Sequence, residues 1–78
     1  MKQYQRIRKA IRESMTDELV TRHCKAEGPV SATDLLDYVN ARHGESAEVP
    51  IILDEIRESI DRLVYEDTLE KYDESTWW

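Results

Sequence analysis

The chain has 78 residues, 40% hydrophobic and 36% charged, with 11 basic and 17 acidic side chains and a formal net charge of −6. That length holds one small domain near the lower limit for a single apolar core, with little room for a buried catalytic cleft. No apolar run approaches the roughly 20 residues that cross a bilayer, the first residues lack a secretory leader's apolar stretch, and Cys24 has no second cysteine to pair with, so a cytoplasmic protein is expected.

Charge is unevenly spread. Residues 1–12 carry Lys2, Arg6, Arg8, Lys9 and Arg12 and no acid, whereas the remainder carries six basic and 17 acidic residues. An acidic body with a basic N-terminal arm is not the usual electrostatic footprint of a DNA binder. Acidic surfaces with few lysines also mark proteins from salt-rich cells, and this chain has four lysines against seven arginines.

In chain order, Tyr4, Ile7 and Ile11 fall on one face of a helical segment over residues 3–13, and Met15 can extend it. Ser14 followed by Asp17, or Thr16 alone, offers a new helix start, so one long bent helix and two shorter ones both remain open. A boundary is placed there, between a basic helical arm (1–13) and a compact body (14–78). Leu19, Val20, His23 and Cys24 form the next apolar stripe, which Gly28-Pro29 stops.

Val30 is a candidate first strand. Ser31-Ala32-Thr33-Asp34 then starts a helix with Ala32, Leu35, Leu36 and Val39 on one face and Tyr38 flanking, ending at His43-Gly44 where glycine supplies a left-handed residue. Residues 45–48 read as a turn, and Pro50 suits the first turn of a third helix running to about Val64. Leu53, Ile56, Ile60 and Leu63 make its inward seam. Asp67 occupies a position suited to a left-handed backbone, Leu69–Tyr72 alternates like a strand, Asp73-Glu74-Ser75 is a hairpin tip, and Thr76-Trp77-Trp78 returns.

This order resembles the winged helix-turn-helix superfamily: an α+β fold of three core helices and a small antiparallel wing, here with an N-terminal helical extension. The resemblance covers about 65 residues and is one of pattern, carried by Val30 to Val39, the turn at Gly44 and the exit Leu63-Val64-Tyr65-Glu66-Asp67-Thr68-Leu69. It implies a small DNA-binding protein, a transcriptional regulator, whose third helix enters the major groove of double-stranded DNA. The reading face would be Ile51, Asp54, Glu55, Glu58, Ser59 and Arg62. One carboxylate can accept from cytosine, but three near phosphates repel.

The DNA-contact candidates are therefore Lys2, Arg6, Arg8, Lys9 and Arg12 in the arm, Arg57 and Arg62 on the third helix, and Lys71 in the wing. Arg57 stands three residues after Asp54 and four before Asp61, and Arg62 four after Glu58, spacings at which side chains pair along a helix. The arm's stripe of Tyr4, Ile7 and Ile11 is a candidate interface, because a helix of a dozen residues is marginal alone and such added helices often dimerise winged-helix proteins. Trp77 and Trp78 point to opposite strand faces, so at most one packs inward, and the other is an interface candidate or folds over the wing or first helix.

These features also support the alternative of a protein-interaction module, an adaptor or assembly domain that does not bind DNA and uses the acidic third helix and the C-terminal tryptophans. Cys24 reads as a core residue. His23 and His43 lack metal-ligand spacing, and no acid/base pairing, nucleophile or phosphate loop appears. No metal, cofactor or enzymatic activity is expected.

Overall fold

The computed structural model describes the backbone of residues 2–43 and 49–78 and the side chains of residues 8–42 and 49–78. Its elements are α1 (Lys2–Glu27), β1 (Val30–Ser31), α2 (Ala32–His43), α3 (Leu53–Tyr65) and β2 (Thr76–Trp77). The expected turn over 45–48 and the left-handed Gly44 lie outside the described residues. Three helices and an antiparallel pair of strands make an α+β fold.

The first helix is unbroken through Ser14–Asp17. The cap signals there serve tertiary packing instead. Thr16 is buried, and its hydroxyl donates back to the Arg12 carbonyl (2.8 Å), while the Asp17 carboxylate reaches across to α3. The arm is thus the first part of α1. Ser31 does cap α2, its hydroxyl accepting the Asp34 N–H (3.2 Å).

Pro50 lies three residues ahead of α3 rather than in its first turn. The cause is Asn40 of α2. Its side-chain amide brackets Ile51, donating to the carbonyl (3.0 Å) and accepting from the N–H (2.9 Å), which holds Ile51 extended and buried until the helix begins. Glu55 then reaches back to accept the Ile52 N–H (3.0 Å) at the helix start.

At the other end, Asp67 takes φ 61°, the Thr68 N–H bonds the Leu63 carbonyl (2.8 Å), and the Asp67 N–H bonds the Val64 carbonyl (3.1 Å). This is a left-handed helix stop satisfying two terminal carbonyls. Leu69 also bonds the Leu63 carbonyl (3.2 Å) and buries its side chain, so the strand expected over Leu69–Tyr72 shrinks to a single bridge between Lys71 and Trp77. On its other side Trp77 pairs with Val30, and Thr76 with Ser31. Residues 76–77 therefore sit between β1 and the outgoing limb of the hairpin.

The core joins Val20 and Cys24 of α1, Val30, Leu35 and Val39 of α2, Ile51, Ile56, Ile60 and Leu63 of α3, and Leu69. Ile56, Ile60 and Leu63 are the buried seam, and Leu53 at its start is half-buried. Burying each such side chain contributes roughly 1.5–3 kcal/mol.

Candidate interaction surface

Two of the expected DNA-contacting arginines hold α1 to α3. The Arg12 guanidinium forks onto Glu55 (2.8 and 3.1 Å) and donates to the carbonyls of Val49 (3.0 Å) and Pro50 (2.9 Å). Arg62 reaches α1, donating to both oxygens of Asp17 (3.1 and 2.8 Å) and pairing with Glu13 (3.1 Å), instead of pairing with Glu58 one turn back. Asp17 also accepts from the buried Ser59 hydroxyl. Hydrogen bonding to Glu55 raises the Arg12 pKa, and hydrogen bonding to Asp17 raises that of Arg62, so both stay cationic.

The reading face named from sequence is therefore largely internal. Ile51 and Ser59 are buried, Glu55 and Arg62 are engaged by their partners, and Asp54 and Glu58 alone are exposed. Both burials have simple causes: Ile51 is fixed by Asn40, and Ser59 lies on the same helical face as Ile56 and Leu63, three and four residues away.

What α3 does show to solvent is Asp54, Arg57, Glu58, Asp61 and Tyr65. Arg57 has no ion-pair partner among the described residues, so the expected pairings with Asp54 and Asp61 do not form. Next to this face lies the hairpin with exposed Glu70, Lys71, Asp73 and Glu74. Asp73 accepts the Ser75 N–H (2.8 Å) and hydroxyl (3.3 Å), and the backbone bond is the main reason its pKa is lowered. Together the outward face of α3 and the hairpin present six carboxylates and two cations.

Between them runs an open groove of about 440 Å³, with Leu53, Ile60 and Trp77 along its apolar wall and Arg57, Asp61 and Glu74 at its rim. Trp77 is half-buried against the core. Trp78 stacks edge-on against Tyr72 (4.9 Å between ring centres) and lies over Gly28. It is the tryptophan that folds over both the hairpin and the end of α1.

In the arm, Arg8, Lys9 and Ile11 are exposed, while the side chains of Lys2, Tyr4, Arg6 and Ile7 lie outside the described set. Elsewhere, Tyr38 is stacked between His23 (4.1 Å) and the Arg42 guanidinium (3.8 Å). Burial pushes the Cys24 thiol up to about 11, which keeps it protonated and unreactive. No cluster of three metal-ligating side chains occurs among the described residues, and among them no helix is long and apolar enough to cross a membrane.

The cross-helix group of Asp17, Ser59 and Arg62 has one sequence signal, a serine standing in an apolar helical seam. Its partners lie 42 and 45 residues apart in the chain, beyond any local spacing rule. Comparison with protein-family models, curated proteins and solved structures finds no match.

Proposed function

We propose that the chain is a winged-helix protein-interaction module whose third helix and hairpin bind protein and not DNA. The winged-helix assignment is supported by the order helix, short strand, two helices, hairpin, and by the pairing of the last strand with the first. One observation carries the functional reading: the exposed charged side chains of the third helix and the hairpin are Asp54, Glu58, Asp61, Glu70, Asp73 and Glu74 against Arg57 and Lys71. Duplex DNA presents about one negative charge per 1.7 Å of axis, so this face is repelled from it. Arg12 and Arg62, which would offset that repulsion, already have carboxylate partners. A dimeric DNA-binding regulator is the competing reading, and its support is the basic arm with Lys2, Arg6, Arg8 and Lys9.

A titration of labelled duplex in low salt, followed by fluorescence anisotropy, separates the two. The wild-type chain should give no saturable binding. Reversing Asp54, Glu58 and Asp61 to lysine should create binding that falls steeply with salt, because the helix then presents a basic face. Wild-type binding that is lost when Arg6 and Lys9 become glutamine overturns the proposal.

A further inference from the structure

We infer that the groove between α3 and the hairpin binds a short segment of a partner protein, which sets a lysine or arginine between Asp61 and Glu74 and a carboxylate against Arg57. The inference rests on the reading of this face as protein-binding, and it names the partner's chemistry.

The first support is the shape and polarity of the groove. Leu53 and Ile60 of α3, Ala32 at the start of α2 and Trp77 of β2 make its apolar wall. Ile60 is buried and the other three are half-buried, so the apolar surface is fixed by the core behind it. At about 440 Å³ the space lies within the range of ligand pockets and takes a few side chains rather than the face of a second domain.

The second support is charge left unmatched. Arg57 and Asp61 stand four residues apart on α3, a spacing at which side chains pair, yet no ion pair joins them. Neither they nor Glu74 has an ion-pair partner among the described residues. Arg12 and Arg62, by contrast, are both matched to carboxylates. Three solvated charges beside apolar surface cost little while water fills the groove. A purely apolar occupant would desolvate them and return nothing, so the occupant has to bring charges of its own.

The arrangement of the three selects those charges. Asp61 lies on the α3 wall and Glu74 on the hairpin, so a cation entering the groove is held from two sides while its aliphatic stem covers apolar surface such as Trp77. A phosphate would meet Arg57 alone and be repelled by both carboxylates. Arg57 and Asp61 are about 6 Å apart along the helix axis. In the partner, an acid and a base two positions apart on an extended segment, or four apart on a helix, span about the same distance. Apolar residues beside them would meet Leu53 and Trp77.

The test is a selection on the full chain from a displayed library of random peptides of about a dozen residues, followed by anisotropy of the recovered peptides at about 50 mM salt. Recovered sequences should share a basic residue two or four positions from an acidic one, with apolar neighbours. Their binding should shift the amide signals of Ala32, Ile60 and Trp77. Asp61→Asn with Glu74→Gln should weaken it about tenfold. Asp61→Lys with Glu74→Lys should abolish it and restore it for a peptide whose base is changed to glutamate. Both carboxylates are exposed, so these variants should keep the wild-type urea midpoint. A selection that yields no peptide, peptides without a shared base, binding that neutralisation leaves unchanged, or signals that move elsewhere on the surface overturns the inference. Any of these results with a wild type that ignores duplex DNA leaves the protein-binding reading standing, whereas a wild type that binds duplex removes both.

Discussion

At the scale of single residues, the positions that matter most here are those where a side chain is excluded or turned inward. Gly28 follows α1, and its backbone conformation is an ordinary one, without positive φ. Its requirement is space: a Cβ there would press on the Cys24 carbonyl oxygen and stand 2.6 Å from the Trp78 Cβ. The backbone oxygen cannot move without breaking the Gly28 N–H bond it accepts (2.9 Å). Gly28→Ala should therefore lower stability by about 1–3 kcal/mol, as overpacking does, and shift the urea midpoint accordingly. An unchanged midpoint would mean that Trp78 is free to leave the glycine.

Residue-level chemistry was only partly legible in the sequence. Asp67 could be assigned its left-handed turn because few residue types tolerate one. Gly28 could be read as a stop but not as a seat for Trp78, since the ring arrives from 50 residues away.

Among the elements, α3 was the most readable because its seam repeats at the helical period and its stop carries its own chemistry. The first helix was ambiguous. Ser14, Thr16 and Asp17 are the residue types of a helix start, yet Thr16 bonds back to Arg12 within the helix and Asp17 finds its partners on α3. The candidate surface was obscured for the same reason. Arg12 and Arg62 look like free cations until Glu55 and Asp17 are brought beside them.

That pairing makes a prediction about how α1 is held. Asp17 accepts from Ser59 and Arg62 with its carboxylate mostly buried, so the bonds are charge-assisted and partly shielded from water. Asp17→Ala and Arg62→Ala should each cost about 2 kcal/mol, and the double variant should cost about 1 kcal/mol less than their sum. Urea unfolding of the four proteins measures this. Strict additivity would show that the two side chains stabilise the helix pair independently.

Over the whole molecule the charges are segregated: α1 holds seven of the 11 basic residues, leaving the rest of the chain strongly acidic. Salt then acts on two things at once. Like charges about 10 Å apart in water repel by about 0.4 kcal/mol each, so the acidic face of α3 and the hairpin costs the folded chain on the order of 1 kcal/mol. Salt at about 1 M shrinks the screening length to about 3 Å and removes most of that repulsion. The Arg12–Glu55 and Arg62–Asp17 bridges lie at contact distance and mostly out of water, so they are screened far less. The melting temperature should therefore rise between about 50 mM and about 1 M sodium chloride. Thermal unfolding followed by circular dichroism across that salt range measures this. A melting temperature that falls with salt in dilute solution would mean that the bridges outweigh the repulsion of the acidic face.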